Sequence, residues 1–219
     1  MPVRPGAALR GLLSRRSVAG RDAVDLAREL VAAGCLVALE RGSAEKSDAL
    51  IGRVGEAGLA ASCEISLPVD RIGVDEALRL GRAAADAGLG VVLSGPSAAV
   101  DAVDLPPAGV VVSAGEPDAE ARCRTLAGGH VRLEPGPGRA ATLAFVRCLN
   151  VLMAEDGHPG VTVSDQRLIA IACERAAWNG RAPDSWEYVM PYGVLTHEQR
   201  RLVAGGARVR VAVPADGRS

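Results

Sequence analysis

The sequence predicts a TIM-like (β/α)8 barrel, in which eight parallel strands alternate with helices and close into a cylinder. Short apolar runs rich in β-branched residues recur eight times along the 219 residues, separated by segments whose apolar residues have helical spacing. The runs GVVLS and GVVVS contain almost only apolar residues, which is typical of strands covered on both faces. No GxGxxG follows the first run, which disfavours a dinucleotide-binding doubly wound sheet.

The eight predicted strands are runs of four to six residues. They span Cys35–Glu40, Ala61–Ser66, Gly90–Ser94, Gly109–Ser113, His130–Leu133, Gly160–Val163, Trp186–Met190 and Arg208–Val213.

Eight predicted helices surround these strands; one precedes the first strand, and the helix expected after the eighth strand is missing. Gly34, Gly58 and Gly88 follow three of the helices at C-cap positions. Asp165 is a predicted N-cap, and Thr196 begins a TxxQ capping box. The helices span Asp22–Ala33, Ala44–Ala57, Val74–Ala87, Ser97–Val103, Pro117–Leu126, Ala140–Ala154, Asp165–Trp178 and Thr196–Ala204.

Length and composition limit the classes of function. We expect an N-terminal extension over 1–20 and a single barrel domain over 21–219. A net charge of −1 and only two Trp, two Tyr and one Phe exclude a nucleic-acid partner, because the chain lacks a basic surface and stacking platforms. The apolar runs are far shorter than the roughly 20 residues of a membrane span, so none is predicted.

The cysteine and histidine spacing bears on location and on metal binding. Five cysteines without a CxxC motif are typical of small core residues in a reducing compartment, and we expect a cytoplasmic protein. His130, His158 and His197 are far apart in the sequence, and no pair of His or Cys residues has metal-site spacing. The sequence therefore predicts no metal site.

The carboxyl ends of the strands are the expected place for chemistry in a barrel of this kind. Ser residues end three of the predicted strands, and no His, Lys or Cys is expected at this rim, so no group that titrates near neutrality lies there. The charged residues expected at the rim are Glu40, Glu134, Asp165, Glu187 and Asp216, with Arg41 and Arg132 as cations.

From Val161 onward the sequence resembles the proline dehydrogenase family. TVSDQRLIAIACERA is similar to the family's "ATHDxRLIxxA", WEYVMPYGV to "EFQMLYGI", and QRRLVAGGARVRVAVPADG to "QxxLxxxGxxVRVYVPYG", in the same order. HVRLEPGPG lies where the family has "RLVKGAY", and the similarity is weaker in the middle of the chain. The resemblance implies a (β/α)8 barrel that binds FAD and oxidises L-proline to 1-pyrroline-5-carboxylate by hydride transfer to the flavin.

The resemblance also implies a set of site residues. Arg132 matches the family arginine beside the flavin N5, and Asp165 matches the residue after the family's Thr-His pair. Ser164 replaces that histidine and Ser113 replaces a glutamine near the flavin, so these four residues are the candidate FAD-binding set.

On the substrate side, Ser66 and Ser94 replace the family's lysine and its supporting aspartate, and Tyr192 lies in the seventh-strand motif. These three residues are the candidate substrate-binding set for a small-molecule ligand, and the resemblance implies no catalytic residue that this sequence retains.

The substitutions predict a proline dehydrogenase-like barrel that is catalytically degenerate, because serines cannot replace several charge-assisted contacts. An active FAD-dependent oxidoreductase with an altered substrate, or with a site completed by a partner, is the first alternative. A non-catalytic binding or scaffold protein is the second. Without a helix after the eighth strand we expect exposed apolar surface near strands one and eight, where a protein partner or a second copy would bind.

Overall fold

A computed structural model describes residues 21–40 and 47–215, so the extension over 1–20, Arg41 and Asp216 lie outside the described residues. All strands are parallel, each pairs with the next, and the last pairs with the first, which confirms the predicted closed eight-stranded barrel. The strands are β1 Leu36–Glu40, β2 Cys63–Pro68, β3 Gly90–Ser94, β4 Gly109–Ser113, β5 Val131–Glu134, β6 Gly160–Thr162, β7 Glu187–Pro191 and β8 Val209–Pro214.

Each predicted helix is present, with boundaries that differ by a few residues at most. A short helix at Val69–Ile72 and a 3-10 turn at Ala60–Ser62 were not predicted. Within the described part of the chain, no helix has the length and apolar character needed to cross a membrane. The helices are α1 Ala23–Ala32, α2 Ser47–Glu56, α3 Val69–Ile72, α4 Val74–Asp86, α5 Ser97–Asp101, α6 Ala119–Leu126, α7 Gly138–Ala154, α8 Gln166–Trp178 and α9 Thr196–Ala204.

The helix that precedes the barrel, α1, covers the junction between the first and last strands. Asp22 caps α1 by accepting a hydrogen bond from the backbone N–H of Val24 at 2.9 Å. The helix packs against both β1 and β8, and its Leu26 is only 1% exposed. Val211 and Val213 of β8 are fully buried. The expectation of exposed apolar surface near strands one and eight is therefore wrong for the described residues, because α1 fills the place of a helix after β8.

Of the two caps predicted at helix amino termini, one is present and the other is not. Asp165 is the N-cap of α8, and its Oδ1 accepts a hydrogen bond from the Leu168 N–H at 2.9 Å, as predicted. The capping box at Thr196 is wrong, because Thr196 is already helical and no side chain caps α9. Gln199 instead donates to the carbonyls of Pro191 and Val194, which holds the connection between β7 and α9.

The apolar core lies between the barrel and its helices, because alternate residues of each strand point outward. Leu39, Ile65 and Val112 belong to this layer and are fully buried. Four of the five cysteines are also buried, but Cys173 of α8 is exposed, so the prediction of a core position is wrong for that residue.

The packing of α1 predicts that Leu26→Ala lowers the free energy of unfolding by about 2–5 kcal/mol, because a cavity would open under α1. Urea unfolding followed by circular dichroism measures this change. Leu143→Ala on α7 is the matched control, since Leu143 is 58% exposed and its truncation should change stability by less than about 0.5 kcal/mol. An equal loss in both variants would contradict the proposed closure by α1.

Candidate functional site

The interior of the barrel contains a buried network of charged side chains. Glu64 is 3% exposed, Arg132 1%, Glu187 1% and Arg210 8%. Glu64 on β2 contacts Arg132 on β5, and these strands are not neighbours, so the contact crosses the barrel interior. Buried charges persist only when they are paired, and here two carboxylates face two guanidinium groups.

Arg132 makes the central contacts of this network. Its Nη1 donates to Glu40 Oε1 at 3.1 Å and to Ser66 Oγ at 3.1 Å, and its Nη2 donates to Glu64 Oε1. Burial tends to raise the pKa of the Glu64 carboxyl, but the charge of Arg132 and the other nearby cations outweigh burial and lower it. Arg132 therefore lies inside the barrel and is bound by two carboxylates, rather than lying free at the rim.

Arg210 of β8 completes the network. Its Nε donates to Glu187 Oε1 at 2.6 Å, its Nη2 to Glu187 Oε2 at 3.1 Å, and its Nη1 to the Val37 carbonyl at 3.1 Å. The same Nε lies 3.3 Å from Glu64 Oε2, so Glu64 contacts both guanidinium groups. The predicted rim position of Glu187 is wrong, because Glu187 is the first residue of β7 and lies at the amino-terminal end of the barrel.

Two histidines lie at this amino-terminal end, which we call the barrel floor, defined by Glu64, His130, His158 and Glu187. His130 Nε2 lies 3.6 Å from Glu64 Oε2, and His158 Nε2 lies 3.9 Å from Glu187 Oε2. The two imidazole rings stack with centroids 5.9 Å apart. Sequence reasoning missed this cluster because its members are far apart in the chain. The usable signal was that His130 directly precedes β5 and His158 lies two residues before β6.

Three of the four serines that were predicted to contact substrate or cofactor make hydrogen bonds within the fold, as follows. Ser66 lies two residues before the end of β2 and is bound to the arginine described above. Ser94 Oγ donates to the Leu67 carbonyl at 3.5 Å, and Ser113 Oγ accepts a bond from the Gly115 N–H at 3.4 Å. Ser94 and Ser113 do end their strands, as predicted.

The remaining predicted site residues follow β6 and β7. Ser164 and Asp165 lie between β6 and α8, and the Asp165 carboxylate caps that helix. Tyr192 follows β7, and its hydroxyl accepts a bond from Arg21 Nη1 at 3.0 Å. These residues therefore lie at the carboxyl side of the barrel, where the Asp165 carboxylate serves to cap a helix.

The carboxyl ends of the strands form the mouth of the barrel. Glu134 is a titratable group at this mouth, and its pKa is shifted. It is the last residue of β5 and is half-buried. Burial raises the pKa of its carboxyl, and the neighbouring carboxylate of Glu40 raises it further, although Arg132 acts in the opposite direction. The mouth thus combines two carboxylates with one cation that is already paired.

Comparison with solved structures supports the fold. Proline utilization A (PutA) from Bdellovibrio bacteriovorus inactivated by N-propargylglycine superposes with a TM-score of 0.77 at 13% identity, over 90% of this chain and 30% of that protein. PutA from Corynebacterium freiburgense superposes with a TM-score of 0.69 at 15% identity, over 95% of this chain and 29% of that protein. A variant of the citrate synthase SbnG superposes with a TM-score of 0.55 at 10% identity, over 86% and 90% of the two chains.

These matches confirm, at the level of the fold, the resemblance to proline dehydrogenases that the sequence motifs indicated. The chain spans less than a third of the length of these PutA proteins. No protein-family model and no curated protein matches the sequence. The fold is therefore a closed (β/α)8 barrel similar to the part of the PutA proteins on which this chain superposes.

The interior network predicts that Arg132→Met lowers the free energy of unfolding by about 3–5 kcal/mol, because the buried Glu64 carboxylate would lose one of its cationic partners. Chemical denaturation measures the change. Arg147→Met is the matched control, because the ion pair of Arg147 with Glu120 is exposed and should contribute about 1 kcal/mol or less. Similar small losses in the two variants would refute a central role for Arg132.

The raised pKa of Glu134 predicts a pH dependence of stability. Because the folded state binds this proton more tightly than the unfolded state, wild-type stability falls as the pH rises from the ordinary carboxyl pKa through the higher folded value. Glu134→Gln should remove that fall, so the variant gains stability relative to wild type between about pH 4.5 and 7. Denaturation at several pH values tests this, with the exposed Glu56→Gln as control; parallel curves would contradict it.

Proposed function

We propose that the chain is a proline dehydrogenase-like barrel that does not carry out FAD-dependent oxidation of L-proline. The observation that carries this proposal is the position of Arg132, the residue matched to the family arginine beside the flavin. Its guanidinium group is held by Glu40, Ser66 and Glu64 inside the barrel. Both Nη atoms are thus bound within the barrel, and using them to bind a flavin would break a buried ion pair. The remaining Nε has no hydrogen-bond partner but is buried.

The residues at the mouth do not fit FAD. The cofactor carries two negative phosphate charges, and the mouth presents the carboxylates of Glu40 and Glu134. Of the other candidates for binding FAD, Asp165 adds a third carboxylate, which already caps α8, and Ser113 bonds to the adjacent loop. This arrangement repels an anion where the family resemblance implies a flavin.

The residues matched to the substrate side do not fit proline either. Ser66, Ser94 and Tyr192 offer hydroxyl groups, and all three have hydrogen-bond partners within the chain. Recognition of a carboxylate is strongest with a bidentate guanidinium, which none of these side chains supplies. Weak binding of proline follows from this chemistry.

A second candidate function is an oxidoreductase with an altered substrate. Glu134 favours it, because a half-buried carboxyl with a raised pKa is a group that can hold or accept a proton at the mouth. A ligand suited to this mouth would be neutral or cationic, since it would face Glu40 and Glu134.

A binding or scaffold role is the remaining candidate. Its predicted location changes, because α1 covers β1 and β8. Trp178 at the end of α8 is 79% exposed, and it is the larger of the two exposed large apolar side chains among the described residues. We therefore expect a protein partner or a second copy at α8. A cytoplasmic location also stays a prediction, which the free thiols of all five cysteines favour.

The proposal predicts that the purified chain, incubated with excess FAD and then desalted, shows no flavin absorption and does not reduce an artificial electron acceptor with L-proline. An active PutA protein is the positive control for both measurements. Retained yellow colour together with proline-dependent reduction would overturn the proposal. Retained flavin with turnover of another amine, but not of proline, would support the altered-substrate alternative.

A charge variant tests the physical reason. If the two mouth carboxylates exclude FAD, the double variant Glu40→Gln/Glu134→Gln should bind FAD more tightly than wild type, by about tenfold or more. Fluorescence quenching of FAD measures the affinity. Glu56→Gln/Glu174→Gln, with both substitutions on exposed helical positions away from the carboxyl ends of the strands, is the matched control. Equal weak binding by all three proteins would show that charge is not the barrier.

A further inference from the structure

The barrel floor has the composition of a metal site. One oxygen of Glu64, one oxygen of Glu187 and one ring nitrogen of His130 all lie within 4.8 Å of one another. His158 adds a second imidazole, 3.9 Å from Glu187 Oε2. Imidazole nitrogen and carboxylate oxygen are the ligands that zinc and similar divalent transition metals take in proteins.

The distance between His130 and Glu64 is that of two ligands around one ion rather than that of a hydrogen bond. His130 Nε2 and Glu64 Oε2 are 3.6 Å apart, and His158 Nε2 and Glu187 Oε2 are 3.9 Å apart, so both gaps exceed hydrogen-bond length. Two ligands of a tetrahedral zinc with bonds of about 2.0–2.2 Å are separated by about 3.3–3.6 Å. Neither Nε2 atom has a hydrogen-bond partner, although both are buried.

A backbone contact orients His130 in the manner of a metal ligand. Its Nδ1 lies 2.9 Å from the His158 carbonyl oxygen, which can only accept a hydrogen bond. Nδ1 therefore carries a proton, and Nε2 is the ring nitrogen that faces the carboxylates. Metal-binding histidines are commonly fixed in this way, by donating the other ring N–H to a carbonyl or carboxylate.

Glycines at the starts of neighbouring strands keep the floor clear. A Cβ atom at Gly109 would lie 2.2 Å from His130 Cδ2, and one at Gly90 would lie 3.0 Å from Glu64 Cβ. A Cβ at Gly160 would lie 3.6 Å from Glu187 Oε1. Larger residues at Gly109 or Gly90 would displace members of the cluster.

We propose that Glu64, His130 and Glu187 bind one divalent transition-metal ion of the zinc class at the floor of the barrel. The ion would use the two Oε2 atoms that face the histidines. Arg210 lies 3.1 Å from Glu187 Oε2 and 3.3 Å from Glu64 Oε2, so the ion would replace these two contacts. The 2.6 Å bond from Arg210 Nε to Glu187 Oε1 would remain. Because Arg210 competes, binding is weaker than at a site without a cation.

This site departs from the prediction that the chain has no metal site, which rested on sequence spacing alone. It is also independent of the proposed function, because the floor lies at the opposite end of the barrel from the mouth and its test does not involve FAD or proline.

The test measures zinc affinity of the full chain by competition with a chromogenic chelator. The background is Cys173→Ser, which removes the exposed thiol as a competing ligand. We expect one zinc ion per chain and a higher melting temperature with zinc. His130→Gln should weaken zinc binding at least tenfold, because it removes the imidazole ligand of the site. His197→Gln is the matched control, since the His197 side chain is 91% exposed, and should bind as the background does.

Cobalt supplies a second measurement that does not depend on the folding of any substituted variant. Co2+ added to the unsubstituted chain should give visible absorption bands of nitrogen and oxygen coordination, without the intense thiolate charge-transfer band in the near ultraviolet. Absence of stoichiometric zinc and cobalt binding would overturn the proposal. So would a thiolate spectrum, or zinc affinity that is unchanged in the His130 variant.

Discussion

The ion pair between Arg132 and Glu64 is the interaction on which the rest of the barrel interior depends. It joins β2 to β5 across the interior, between residues 68 positions apart in the chain. Glu64 in turn contacts Arg210, which binds Glu187, so one continuous set of charges reaches β2, β5, β7 and β8. Most barrels of this class fill the interior with branched apolar side chains, whereas here paired charges occupy it.

Small residues make this arrangement compatible with a closed barrel. Long charged side chains need space, and β3, β4 and β6 each begin with glycine, at Gly90, Gly109 and Gly160. The apolar side chains point the other way, toward the helices, and form the layer that supplies most of the hydrophobic stabilisation. The same network that stabilises the interior also ties up Arg132, which is why the mouth has no free cation of its own among the described strand ends.

The elements of the fold were predictable from local patterns, and the site was not. Each strand has its own apolar run, and each predicted helix has its own apolar spacing, so the order and the parallel barrel follow from the sequence. Arg132 and Glu40, by contrast, are 92 residues apart and meet only through the closed barrel. Glu187 was placed at the wrong end although the predicted strand Trp186–Met190 already has it near its amino-terminal end, as the structure does.

The motif resemblance and the structural matches agree on the fold. Neither determines the chemistry, which depends on the individual residues of the site. A barrel of this kind supports many reactions, so its residues at the strand ends decide what it does. Ser66, Ser94 and Ser113 all bond within the chain, and the Asp165 carboxylate caps a helix. The residues that match a cofactor site in sequence are thus used to hold the fold together.

The position of α1 has a consequence for how the molecule assembles. Because α1 packs on β8 as well as on β1, the helix near the start of the described chain acquires its full apolar contacts only when the last strand is in place. Closure of the barrel and burial of α1 therefore happen together. The residues that meet are far apart in the sequence, so the loss of chain entropy on closing this long loop opposes the step. Such a topology is expected to fold slowly and late in synthesis, and to open first at the seam between β1 and β8.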